Sequence, residues 1–139
     1  MLVKEIMTKN VVTIEAKKTA FDAALKYREK KVGCLVVEDN GYCVGILTER
    51  DLIERVMSKL RNPEQTTVQD IMTTPIRTVY ALDSIEKATK IMVEHHIKKL
   101  PVISNNAIVG IITITDISQA RSELTKQFME SWIKPRWED

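Results

Sequence analysis

At 139 residues the chain has room for one compact domain or two small, mutually dependent halves. Hydrophobic residues make up 44% and charged residues 29%, which excludes a disordered chain, and an aromatic share of 5% leaves the core to Val, Ile, Leu and Ala. A net charge of +2, with both signs interspersed, gives no polyanion-binding signature.

The N-terminal Met1-Leu2-Val3-Lys4-Glu5 lacks the apolar core of a signal peptide. Val11-Val12-Thr13-Ile14 is a short β-rich run. Thr19 predicts a helix N-cap, and Asp22, three residues on, completes a capping box. The helix runs to about Lys30, with Ala20, Ala23, Ala24 and Tyr27 on one face. Cys34-Leu35-Val36-Val37 predicts a buried strand, and Asn40-Gly41 a tight turn that tolerates positive φ. Tyr42-Cys43-Val44-Gly45-Ile46-Leu47 returns as the hairpin partner. Thr48 then opens a second helix with an apolar stripe of Leu52, Ile53, Val56 and Leu60. The unit is β-α-β-β-α.

Residues 61–67, Arg-Asn-Pro-Glu-Gln-Thr-Thr, form a polar linker too short for independent halves. Beyond it the first unit repeats without a gap, residues 3–52 matching residues 68–117. Val3-Lys4-Glu5-Ile6-Met7-Thr8 matches Val68-Gln69-Asp70-Ile71-Met72-Thr73. Gly45-Ile46-Leu47-Thr48-Glu49-Arg50-Asp51 matches Gly110-Ile111-Ile112-Thr113-Ile114-Thr115-Asp116. The second copy therefore carries a β run at Arg77-Thr78-Val79-Tyr80, a helix from about Ser84 to His95, strands near residues 100–103 and 108–112, and a helix from Thr113. The domain division is 1–60, linker 61–67, 68–121, and a tail at 122–139 without a counterpart. Leu124, Phe128 and Trp132 fall at helical spacing in that tail and Pro135 ends it; both tryptophans, Trp132 and Trp137, lie there. The tail packs on its own module or anchors an oligomer contact.

Neither cysteine pattern nor histidine pair points to a metal. Cys34 and Cys43 lack Cys-x-x-Cys spacing and fit two small thiols in a reducing cytosol. His95-His96 ends a predicted helix, where partial protonation suits the dipole, and has no acid or Cys partner at ligand spacing. The longest apolar runs are strand-length, so a cytoplasmic chain with no membrane contact is expected.

Two copies opening with Ile-Met-Thr and closing with Gly, two apolar residues, Thr, two residues and Asp, with Lys98-Lys99-Leu100-Pro101-Val102 before the second central strand, resemble a cystathionine-β-synthase (CBS) domain pair, or Bateman module. The resemblance covers most of the chain. It implies an α/β fold of the α+β kind, with tandem β-α-β-β-α repeats packed around a pseudo-two-fold axis. It also implies a regulatory, non-enzymatic module that binds AMP, ADP or ATP, with S-adenosylmethionine a further candidate, in inter-domain clefts. A disc-shaped homodimer and an unidentified regulated protein are the implied partners.

Carried over by position, the resemblance gives a first site of Thr8, Val12, Thr13, Val32, Gly33, Cys34, Ile46, Thr48, Arg50 and Asp51, joined by Lys98 and Lys99 on phosphate. The second site is Thr73, Arg77, Thr78, Ile97, Lys98, Ile111, Thr113 and Asp116. A carboxylate accepts two hydrogen bonds from a vicinal diol, and an Arg fork suits phosphate. Arg50 and the small Gly33 and Cys34 make the Asp51 site the better equipped by sequence. Thr48 with Asp51, and Thr113 with Asp116, are equally capping boxes, and capping alone explains those four residues. Two other functions stay open: a protein-interaction subunit with empty clefts, and a nucleic-acid binder using Lys17, Lys18, Arg28, Lys30 and Lys31. No nucleophile–base pair, glycine-rich phosphate loop or metal cluster supports an enzyme.

Overall fold

A computed structural model describes residues 1–126 and residue 130. Phe128 and Trp132 of the expected tail helix, and Pro135 and Trp137 beyond it, lie outside the described residues.

The elements run α1 (Val3–Ile6), β1 (Thr13–Glu15), α2 (Ala20–Lys30), β2 (Cys34–Asp39), β3 (Tyr42–Thr48) and α3 (Glu49–Arg55), then α4 (Val68–Ile71), β4 (Val79–Tyr80), α5 (Ile85–His95), β5 (Lys99–Ser104), β6 (Ala107–Thr113) and α6 (Ile114–Ala120). The chain is a mixed α+β structure with two three-stranded sheets, ordered β1-β2-β3 and β4-β5-β6. In each sheet the first strand runs parallel to the second, which pairs antiparallel with the third. The expected Thr19–Asp22 capping box is present, its two residues exchanging hydrogen bonds at the start of α2; at the start of α5 Ser84 is the N-cap and accepts from the Lys87 amide. Both hairpin turns use positive φ, at Asn40 and Gly41 in one copy and at Asn105 and Asn106 in the other.

The compact units do not coincide with the two sequence copies. One unit is Val11–Ile76; the other joins Met1–Asn10 to the residues from Arg77 on. They are called here the Asp51 unit and the Asp116 unit. Each takes its short N-terminal helix from the opposite copy: α4 belongs to the Asp51 unit and α1 to the Asp116 unit. Val68 and Ile71 of α4 are fully buried among Ile14, Ala20, Ala23, Leu35, Val37 and Leu47. Val3 of α1 is likewise buried among Ala88, Met92, Leu100, Val102 and Ile112. An apolar turn in front of a sheet it does not precede in its own repeat is invisible to a repeat alignment, and its burial fixes it there.

Residues 61–67 are tied to α2: the Ala20 amide donates to the Thr66 carbonyl, the Phe21 amide to that of Pro63, and Thr66 is buried. The expected apolar stripe on α3 is incomplete. Val56 is buried, but Ile53 is 56% exposed and Leu60, in the left-handed region after the helix has ended, is 94% exposed.

Candidate functional site

The Gly-x-x-Thr-x-x-Asp turns are built alike. At the end of β3 the Asp51 amide donates to the Thr48 hydroxyl at 3.2 Å, and the Thr48 amide donates back to Asp51 Oδ2 at 2.9 Å. At the end of β6 the same exchange links Thr113 and Asp116, both bonds at 3.0 Å. The capping role is therefore real in both copies. It fixes each carboxylate at the mouth of a short helix and leaves further lone pairs on it.

The third group at each turn comes from the Met-Thr segment that follows α1 or α4. Thr73 donates its hydroxyl to Asp51 at 3.1 and 3.3 Å, and Thr8 donates to both oxygens of Asp116 at 3.3 Å. The backbone holds these threonines in place. Thr73 and Ile46 exchange N–H···O bonds of 2.8 and 3.1 Å, and Thr8 and Ile111 exchange bonds of 2.8 and 2.9 Å. The motif glycine permits this approach. A Cβ on Gly45 would stand 2.5 Å from Met72 Sδ, and one on Gly110 would stand 2.6 Å from Met7 Sδ and 2.9 Å from the Thr8 carbonyl. Ile-Met-Thr and Gly thus form one device, a strand edge with a bare Cα that receives an incoming segment.

This placement regroups the expected residues. Val12, Thr13, Val32, Gly33, Cys34, Ile46, Thr48, Arg50 and Asp51 stand together in the Asp51 unit, and Thr73 joins them there. Thr8, grouped with Asp51 by sequence position, belongs to the Asp116 unit with Arg77, Thr78, Ile97, Lys98, Lys99, Ile111 and Thr113. The reason is the exchange of α1 and α4, which carries each threonine to the acid of the other copy.

The two acids differ in surroundings. Asp51 is 6% exposed, whereas Asp116 is half-buried. Arg50 turns along α3 onto Glu54 at 2.8 Å, in an exposed pair that raises the pKa of the guanidinium. Sequence reasoning missed Arg55, whose Nε lies 3.9 Å from Asp51 Oδ1 and whose Nη1 donates to the Ile71 and Met72 carbonyls at 3.1 and 2.8 Å. Its signal was available: an Arg four residues after the motif Asp, where the second copy has Ala120. Tyr27 was also missed as a polar group. Its hydroxyl donates to the Leu47 carbonyl just ahead of Thr48, and burial pushes its pKa up.

Elsewhere in the Asp51 unit a shallow depression of about 450 Å³ lies between α2 and β1. Its rim sets Glu15, Asp22, Glu29 and Glu38 beside Lys18 and Lys26, a mixed surface rather than a basic one. Cys34 is buried and Cys43 half-buried, and burial raises the pKa of Cys43. Among the described residues no three His, Cys, Asp or Glu side chains are grouped to hold a metal ion. No helix among them is long and apolar enough to cross a membrane.

Comparison with known proteins returns the same repeat. The CBS domain family matches residues 3–58 and again residues 68–123. An uncharacterized protein of Methanopyrus kandleri is 35% identical over 134 residues, covering 95% of this chain and 68% of that protein. Among solved structures, a conserved CBS domain protein of unknown function from Thermoplasma acidophilum superposes with a TM-score of 0.83 at 29% identity, over 96% of this chain and 77% of that one. A hexameric CBS-CP12 protein from bloom-forming cyanobacteria gives a TM-score of 0.79 at 31% identity, over 97% and 82% of the two chains.

Proposed function

The chain belongs to the CBS-domain family, and from that premise we propose that it is a regulatory, non-catalytic module that binds an adenosine nucleotide. AMP, ADP and ATP are the first candidates and S-adenosylmethionine the next. The observation that carries this proposal is the pair of motif carboxylates, each held by a capping box and a threonine hydroxyl at a strand-to-helix turn. A carboxylate fixed in this way and still partly open, as Asp116 is, retains acceptor capacity for a ribose diol. In the Asp116 unit the half-buried acid shares its unit with Arg77, Lys98 and Lys99, cations suited to phosphate. Ligand shifts such a module only by binding two of its arrangements unequally. A cytoplasmic homodimer acting on a second protein is the assembly that fits this role.

Thermal unfolding with AMP, ADP, ATP and S-adenosylmethionine tests the proposal. A ligand at about 100 times its dissociation constant adds roughly 2.7 kcal/mol, a rise of several degrees in Tm. A Tm that stays flat with all four rejects nucleotide binding.

One observation favours a second reading, a protein-interaction subunit. Ile53, Met57 and Leu60 are 56%, 68% and 94% exposed around the end of α3. Large apolar side chains gathered on one surface mark contact sites. Flat melting curves together with association that Met57→Glu abolishes would favour this reading over the first.

A further inference from the structure

Asp51 and Asp116 occupy matching turns, but Asp51 has a cation built in beside it. Arg55 lies one helical turn further along α3. Its guanidinium spans two things: the carbonyls of Ile71 and Met72 at 3.1 and 2.8 Å, and the Asp51 carboxylate, 3.9 Å from Nε. Those carbonyls end α4 and lead straight into Thr73, whose hydroxyl donates to the same carboxylate. The matching position in the Asp116 unit is Ala120, which carries neither charge nor side-chain donor.

We infer that Arg55 is a resident occupant of the first motif acid. It commits Asp51 to holding α4 in place and withholds it from ligand, so the chain binds one adenosine nucleotide, through Asp116. This rests on the nucleotide proposal above and deepens it.

The chemistry of the two carboxylates decides the choice. A ribose diol needs two carboxylate lone pairs that face outward. On Asp51 the Thr48 amide and the Thr73 hydroxyl already take acceptor sites, the carboxylate is almost wholly buried, and Oδ1 faces the guanidinium. A neutral diol replaces no charge. To displace Arg55 it must also break two hydrogen bonds that the same guanidinium makes to backbone carbonyls, which are left without that donor. Asp116 has the equivalent two protein donors, is half-buried, and has alanine where the cation would be. The apparent advantage of the Asp51 turn, its neighbour Arg50, is spent on Glu54.

Isothermal titration of the full chain with AMP and with ATP tests this. Wild type should bind one nucleotide per chain. Asp116→Ala should weaken binding at least about tenfold, a change of roughly 1.4 kcal/mol. Asp51→Asn should lower Tm yet leave affinity within about twofold. Arg55→Gln keeps a donor but removes the charge. It should add a second, weaker binding event that Asp51→Asn/Arg55→Gln loses, while Arg55→Lys stays at one. Two nucleotides per wild-type chain, loss of binding in Asp51→Asn with Asp116→Ala intact, or a single event in Arg55→Gln would each overturn the inference alone. Absence of any adenosine ligand on wild type removes the nucleotide proposal and this inference together. If Arg55→Gln melts below the assay temperature, the comparison of Asp51→Asn with Asp116→Ala decides.

Discussion

The Thr73 hydroxyl donates to both carboxylate oxygens of Asp51, at 3.1 and 3.3 Å, although the two residues come from different sequence copies. Asp51 is buried although Thr73 is exposed, so the bond is part-buried and water replaces it only in part. A hydrogen bond to a charged group contributes about 1.5–3 kcal/mol. Thr73→Val should therefore cost about 2 kcal/mol in urea unfolding. Thr8→Val removes the equivalent donor from the half-buried Asp116, at 3.3 Å, where solvent substitutes. It should cost about 0.5 kcal/mol. Equal losses in the two variants would show that burial does not separate the two acids.

The motif glycines should fail in unequal ways. A Cβ on Gly45 meets chiefly the flexible end of Met72, at 2.5 Å, with the Thr73 carbonyl at 3.0 Å. A Cβ on Gly110 meets Met7 Sδ at 2.6 Å and the Thr8 carbonyl at 2.9 Å. Overpacking of this kind costs about 1–3 kcal/mol. Gly110→Ala should lie at the upper end of that range, because backbone yields less than a methionine. Adding Met72→Ala to Gly45→Ala should show a favourable coupling of about 1 kcal/mol in a double-mutant cycle. Strict additivity would locate the strain elsewhere.

Much of this architecture was legible because local signals agreed with each other. Thr19 with Asp22, Asn40-Gly41 and the two Thr-x-x-Asp turns each state their own geometry, and each forms as stated. What could not be read was which sheet each Ile-Met-Thr segment joins. A four-residue helix carries too little pattern to name a partner, and its placement is decided by burial of Val3, Val68 and Ile71 in cores assembled from distant residues. The same limit hid Arg55. Its partners, the Ile71 and Met72 carbonyls, are adjacent to it only after α4 has docked.

Acid should weaken the Asp51 unit through Asp22. The Thr19 amide and then its hydroxyl lower the Asp22 pKa from its ordinary 3.8. A depressed folded-state pKa means that this contribution is present above the unfolded value and is lost as pH falls from about 4 through the folded value. Asp22→Asn should therefore be less stable than wild type at pH 7, and the gap should narrow as pH falls below the ordinary 3.8 and on through the folded value. Thr19→Ala, which removes the other half of the box, should cost about 1 kcal/mol at pH 7. A gap between Asp22→Asn and wild type that stays constant throughout the acid titration would rule out this linkage.

Tyr27 should impose the opposite dependence at high pH. Its hydroxyl donates to the Leu47 carbonyl, and its pKa is pushed well above the ordinary 10.0, first by burial and then by Cys34, Asp51 and Glu49 nearby. A raised folded-state pKa makes the contribution fully present below pH 10 and lost as pH climbs beyond it, because the unfolded chain gives up the phenolic proton first. Tyr27→Phe deletes both the hydrogen bond and this titration. At pH 8 the variant should be less stable by about 1 kcal/mol. Between pH 10 and pH 12 wild type should lose stability faster than the variant, so that the two unfolding midpoints converge. The second copy has Met92 at this position, buried and without a hydroxyl, so the effect belongs to the Asp51 unit alone. Parallel midpoints across that range would mean that Tyr27 ionises as freely in the folded chain as in the unfolded one.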